Sequence, residues 1–429
     1  MFRFKFLLRS ALVGAGLRPA RLHRILHPRA SLKVLNAAAA FATALGLLLG
    51  ASIAMQSASA QKPPREQQLD KDLQYLRDPV TGELRAVPKS ASSGTSQPSG
   101  APKGGAVIHS QVSLVEIGCS AISAQGTPVR NLALQDFLLA ADGQLQKLEH
   151  FDASTEPAHL ALVLDASPSE FHSLSDMKLA ARTLAAELSP RDQVAVVAFA
   201  GHPHMLLPFT TDRKQLEAAL EKIELMRAVE ETGSNIYGSV YLTAERLFTG
   251  PKAPTGRKAI LVLTDGQDSG LGLSWNPASM FPPTGVNANR LTFEDVVREL
   301  ATSGVEVFVA STENRPSGMT TAWFSSHSAK TLINEDSRTM GIPAYTIFLA
   351  ELVRRAGGGL YFLRESGTLS EVYRRIGATL STEYVLGFYP SPGADARGWH
   401  GLNVRFSDAA AHPGSRLDCR PSYYIATPQ

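Results

Sequence analysis

Residues 160–171 read LALVLDASPSEF. Five apolar side chains run straight into Asp165, and Ser167 and Ser169 follow at two-residue spacing. A continuous apolar run of this length suits a strand covered on both faces, as in a parallel sheet, where polar and apolar residues need not alternate. In open sheets of that kind ligands collect outside the carboxyl ends of the strands. Asp165 stands at one such end. Its carboxylate and the two hydroxyls either converge on a ligand, or mark an ordinary strand end with Ser167 and Ser169 capping the helix that follows.

The pattern outside this stretch decides the fold class. Strands are expected at Leu160–Leu164, Gln193–Ala198, Ala259–Leu263, Val305–Val309 and Gly359–Phe362, and HMLLPFT at 204–210 fits an antiparallel edge strand. Helices are expected at Leu174–Leu188, Arg213–Glu224, Ile236–Phe248, Phe293–Thr302, Ala344–Ala356 and Leu369–Thr382. Such alternation predicts an α/β domain over residues 157–385, a doubly wound, mainly parallel sheet with helices on both faces.

Two further loops offer oxygen at the same sheet edge. KAILVLTDG finishes at Asp265 just as LALVLD finishes at Asp165, and TGSNIYGSV, ahead of a helix, offers the hydroxyls of Thr232 and Ser234. Carboxylates and hydroxyls without His or Cys form a hard donor set. That chemistry suits Mg²⁺ or Mn²⁺ in octahedral oxygen coordination, with water filling the remaining positions.

Asp165-x-Ser167-x-Ser169, Ser234 within TGSNIY and Asp265 within LTDG resemble, in that order, the metal-ion-dependent adhesion site of the von Willebrand factor type A domain. Ser234 stands where that family usually has Thr, which keeps the hydroxyl and loses a methyl. The resemblance implies a divalent cation held by Asp165, Ser167, Ser169, Ser234 and Asp265, Mg²⁺ first, with Mn²⁺ and Ca²⁺ as alternatives. It also implies a partner protein whose acidic residue completes the coordination, so that the site binds and does not catalyse.

The flanks carry a second resemblance. VRNLALQDFLLAADGQLQKLEHFD before the domain, and STEYVLGFYP, GLNVRF and CRPSYYI after it, look like exported bacterial von Willebrand factor A-related proteins of the acidobacterial type. That resemblance implies β-rich segments at 106–155 and 386–429 packing together in a small sandwich, with Cys119 and Cys419 brought close enough for a disulfide. Two long insertions, within 270–345, hang from the metal-side strand ends and carry Trp, Phe and Met. Loops so placed either shape partner selectivity or extend as surface insertions.

The N-terminus reads as an export segment. Residues up to Lys33 hold eight Lys or Arg and no Asp or Glu, and Ala37–Ala54 is almost wholly apolar. SASAQ then supplies the small residues of a cleavage site after Ala60. Residues 1–60 are therefore a signal peptide, or an uncleaved membrane anchor, since about 18 apolar residues just span a bilayer. Membrane contact is expected only through this segment. Without it the chain has 34 basic and 39 acidic residues, a net of −5. The body is mildly acidic with no basic stripe, which argues against nucleic-acid partners. Residues 61–105, rich in Pro, Ser and Gly, are expected to be a flexible linker. Export places the protein in the periplasm, on the cell surface or outside the cell.

Two other functional readings remain at the sequence level. One is a structural envelope scaffold that uses the α/β domain without metal. The other is a metal-dependent hydrolase, for which the motifs offer no general base, His172 being the nearest histidine, while the two histidines of GHPH at 201–204 lack the companions of ligand spacing that a zinc site needs.

Overall fold

The computed structural model describes residues 67–78, 84–90, 114–124, 127–153, 157–170, 172–227, 233–271, 290–319, 323–324, 327, 342–364, 376–377, 383–390 and 398–425. All of them belong to one unit that begins at Glu66. The expected export segment at 1–60, Thr232 and most of the two insertions lie outside the described residues. Among the described residues no helix is long and apolar enough to cross a membrane.

In chain order the first strands are β1 (Gln67–Gln68), β2 (Leu73–Arg77), β3 (Leu84–Pro88), β4 (Val115–Ile122), β5 (Phe137–Ala141), β6 (Gln144–Gln146) and β7 (Leu148–Ala153). The α/β region follows with β8 (Ala158–Asp165), α1 (Leu174–Glu187), β9 (Gln193–Phe199), β10 (Pro203–Thr210), α2 (Arg213–Arg227), α3 (Ile236–Phe248), β11 (Arg257–Thr264), α4 (Phe293–Ser303), β12 (Glu306–Ser311), α5 (Ala344–Ala356) and β13 (Leu360–Phe362). Strands β14 (Glu383–Phe388), β15 (Gly398–Phe406), β16 (Arg416–Cys419) and β17 (Ser422–Ile425) complete the chain.

The main sheet runs β1-β10-β9-β8-β11-β12-β13. Strands β9, β8, β11, β12 and β13 are parallel, and β10 returns antiparallel to β9. Within the apolar runs, side chains alternate between two cores. Ala161, Val163, Val197, Ile260, Val262 and Val307 meet helices α3, α4 and α5 on one face. Leu160, Leu162, Leu164, Val196, Leu261 and Phe308 meet α1 and α2 on the other. Helices on both faces bury both sides of each central strand, which is why the sequence shows unbroken apolar runs there. The expected helix at 369–382 lies largely outside the described residues. Its Ile376 is buried on the α1 face.

Helix ends follow local chemistry. At the start of α4, Thr292 Oγ1 accepts from Asp295 N at 3.2 Å and Asp295 Oδ2 accepts from Thr292 N at 2.9 Å, a reciprocal capping box. The helix ends on Gly304 in the left-handed region, φ 69°.

The expected flexible linker at 61–105 needs correction. Its described residues form strands. Strand β1 extends the main sheet beyond β10, so β10 is not the edge. Strands β2 and β3 pair as a hairpin, and Leu69, Leu73 and Leu84 join the core of the α3 face. Tyr241 Oη donates to the Leu84 carbonyl at 3.1 Å, and Arg77 grips Asp295 with two hydrogen bonds of 2.9 and 2.8 Å. QQLDKDLQYLRD is too polar to bury a core alone. It becomes ordered because a ready-made strand edge and an apolar helix face receive it.

The flanking segments form two further four-stranded sheets, β16-β4-β14-β7 and β17-β15-β5-β6. Ile117, Leu139, Phe388 and Tyr423 fill one part of their shared core. Phe137, Tyr384 and Leu386 fill another, beside Cys119. Since β14 begins at Glu383, the expected boundary at 385/386 falls inside a strand of the sandwich. Cys119 and Cys419 lie opposite one another on β4 and β16 and are joined by a disulfide, Cα–Cα 4.4 Å, across 300 residues of sequence.

The sandwich is fixed to the α/β domain by polar contacts. Arg420 donates to the carbonyls of Ala301, at 3.0 Å, and of Glu116. Glu294 on α4 accepts two bonds from Arg355 on α5, at 2.7 and 3.0 Å, and one from the Trp399 indole. The Arg355 guanidinium lies 4.2 Å from the Trp399 ring centroid.

Candidate metal centre

Parallel register brings the ends of β8, β11 and β12 side by side. Leu164 pairs with Leu263 and Thr264 with Ser311, so Asp165, Asp265 and Thr312 leave the sheet on one edge. Asp165 is wholly buried. Its Oδ1 accepts from Ser167 N at 3.0 Å, and its Oδ2 accepts from Thr264 Oγ1 at 2.6 Å and Ser234 Oγ at 3.2 Å. Ser167 Oγ lies 3.0 Å from Ser169 Oγ. Direct hydrogen bonds thus join four of the five expected ligands, with Ser167 and Ser234 buried and Ser169 exposed.

Asp265, also buried, stands one residue beyond Thr264. Its Oδ1 accepts from Gln267 N at 2.8 Å and so closes a local turn. That turn passes through Gly266 at φ +90°, where an added Cβ would come within 2.8 Å of Leu349 on α5. The left-handed dihedral favours glycine there. The capping alternative for the two serines does not hold. Helix α1 starts at Leu174 with Ser173 at its N-cap, and a 3-10 turn over Pro168–Glu170 separates it from Ser167.

The Ser234 loop is held from below by residues the sequence reading passed over. Asp268 Oδ1 accepts from Ile236 N, the first amide of α3, at 2.9 Å, beside the N-cap Asn235, while its Oδ2 accepts from Leu271 N at 2.6 Å. Ser269 Oγ donates to the Ser234 carbonyl at 2.9 Å and accepts from Ser234 N at 2.8 Å. The signal for both was the acid and hydroxyl three and four residues after Asp265 in TDGQDSG.

Charge is crowded here. Burial pushes the Asp165 carboxyl up to about 6, against the hydrogen bonds from Ser167 and Thr264, and the neighbouring Asp265 charge adds to the rise. Burial likewise pushes Glu170 up to about 7, against the Thr312 hydroxyl, with the charges of Asp165 and Asp265 adding to the rise and Ser173 opposing it. A site that disfavours its own carboxylates in the metal-free state is one a cation would relieve.

The donor set fits a small hard cation. With oxygen ligands at about 2.0–2.1 Å, neighbouring corners of an octahedron are about 2.9 Å apart. The Ser167–Ser169 separation of 3.0 Å and the Ser234–Asp165 separation of 3.2 Å are of that size. Among the described residues no three His, Cys, Asp or Glu side chains are grouped to hold an ion by themselves. An ion at this edge would depend on the hydroxyls.

The profile of the von Willebrand factor type A domain matches residues 160–267. A UPF0353 protein of Mycolicibacterium paratuberculosis is 25% identical over 254 residues, 58% of this chain and 66% of that relative, so the chain spans just under two thirds of the relative's length. Among solved structures, an aerotolerance-related membrane protein from Bacteroides fragilis is 19% identical, covering 52% of this chain and 98% of that one with a TM-score of 0.35. A von Willebrand factor type A protein from Catenulispora acidiphila is 13% identical, covering 74% of each chain with a TM-score of 0.34. The strand carrying Asp165, the loop carrying Ser234 and the strand end carrying Asp265 all fall inside the matched residues: the chain contains a von Willebrand factor type A domain.

Proposed function

We propose that the domain is an exported, metal-dependent binding module in which a divalent cation, Mg²⁺ by preference, links the sheet edge to an acidic residue of a partner protein. The observation that carries this reading is the hydrogen-bonded set of Asp165, Ser167, Ser169 and Ser234 on two loops of one sheet edge, with Asp265 on a third loop beside them. When bound, the cation supplies a positive centre with a coordination position for an outside carboxylate. The chain's own residues do the rest. The hydroxyls of Ser167, Ser169 and Ser234 would face the ion without neutralising it, and Asp165 and Asp265 would hold it electrostatically. Exposure of Ser169 leaves that side of the site open to a partner.

Export through residues 1–60 and an envelope or secreted location belong to the same proposal. They are supported by the basic and apolar lead-in and by the disulfide between Cys119 and Cys419, a bond that persists in oxidising compartments. The direct test is a pull-down from the native envelope with and without EDTA, using wild type and Asp165→Ala. The proposal expects a protein that is retained by the wild type, released by chelation and absent with the variant. Retention that ignores both EDTA and the substitution would favour a scaffold that does not use metal.

A further inference from the structure

Glu170 directly follows the DASPS motif, yet the reading above gives it no task. It is 1% exposed. The Thr312 hydroxyl donates to its Oε1, and Thr312 N in turn donates to the Thr264 carbonyl at 3.1 Å, one residue before Asp265. Glu170 therefore reaches from the β8 loop to the β12 loop, at the edge where β11 ends in Asp265. Its Oε2 is buried and meets no donor within hydrogen-bonding geometry among the described residues, the nearby Ser173 hydroxyl included. A buried carboxylate oxygen left without a donor is costly. The cost is explained if a donor arrives with a ligand. The charges of Asp165 and Asp265 both act on this carboxylate, which puts it within electrostatic range of the site.

We infer that Glu170 is a further positioning residue of the metal centre, its free Oε2 accepting a hydrogen bond from a water of the bound cation and so setting how tightly the site holds a divalent ion. This inference rests on the metal-site reading above. The two carboxylates and three hydroxyls would contact the ion or its waters, and Glu170 would act on the hydration shell that a small cation such as Mg²⁺ keeps. Partners of this kind orient first ligands, and their loss typically weakens metal affinity by about 10–100-fold. The Thr312 hydroxyl fixes the carboxylate in place.

The test is calorimetric titration of Mg²⁺ and Mn²⁺ into the full chain, comparing wild type, Glu170→Gln, Thr312→Val and Asp265→Asn, with metal-free melting curves for each. Glu170→Gln keeps an oxygen to accept from Thr312 and removes the charge. It should bind both ions roughly 10–100-fold more weakly while melting without metal no lower than wild type. Thr312→Val should weaken binding in the same direction. Should Glu170→Gln prove too unstable to titrate, Thr312→Val alone decides. Affinities within twofold of wild type, in a chain whose Asp265→Asn control loses binding, would overturn the role of Glu170 and leave the metal site standing. A wild-type chain that bound neither ion would overturn both.

Discussion

The Thr264 hydroxyl donates a 2.6 Å hydrogen bond to Asp165 Oδ2 from the neighbouring strand and accepts one of 3.0 Å from Gly266 N. One side chain thus orients the first carboxylate of the site and the turn that carries the second. Thr264→Val keeps the shape and removes both bonds. With a buried carboxylate short of one donor, it should cost about 1–3 kcal/mol of stability in chemical denaturation and weaken divalent binding. An unchanged affinity would show that Asp165 does not need this partner.

Metal-free stability and the effect of metal should depend on pH in a set direction. Asp165 is raised by burial to about 6, above the ordinary aspartate value of about 3.9. The folded state therefore holds this proton more tightly. The contribution favours folding below about pH 4 and is lost as pH rises through about 6. A bound cation offsets that loss, so the rise in melting temperature on adding Mg²⁺ should be larger near pH 7.5 than near pH 5. A rise equal at both would mean that the ion does not meet this carboxylate.

Much of this was legible in the sequence, for physical reasons. Central strands buried on both faces read as apolar runs, so β8, β9, β11 and β12 were found to within a residue or two at each end, and α3 and α5 matched their expected ranges. The three oxygen loops were visible because each follows or precedes a strongly patterned element. The strap formed by β1, β2 and β3 was not visible. Its strands are short and polar: β1 exists by pairing with β10, and β2 and β3 by pairing with each other and packing against the α3 face. Glu170, Asp268 and Thr312 were missed since their roles depend on contacts across loops, as between Glu170 and Thr312, 142 residues apart. The second insertion also proved partly structural, since Met319 and Phe324 are buried in the core beneath α5.

The strap should contribute measurably to the fold. Leu84 is buried in the α3-face core, and Leu84→Ala should destabilise the protein by about 2–5 kcal/mol, as large-to-small changes in a core do. Urea denaturation followed by far-ultraviolet circular dichroism would check it. A change under half a kcal/mol would mean that residues 67–90 only rest on the surface.

The Cys119–Cys419 bond closes almost the whole described chain into one loop. Reduction, or the double substitution Cys119→Ala with Cys419→Ala, should lower stability by about 2–4 kcal/mol, and non-reducing peptide mapping of exported protein should find the two cysteines in one cross-linked species. Free thiols in that preparation would contradict the bond.

The central claim is that a cation sits among the hydroxyls at the ends of β8 and β11. Crystals of the full chain grown with Mn²⁺ and measured for anomalous scattering test it most directly. The account predicts a single strong peak within about 2.0–2.4 Å of Ser167 Oγ, Ser169 Oγ and Ser234 Oγ, lost in Asp165→Ala crystals. A map with no peak at that edge, or with manganese bound only elsewhere, would contradict it.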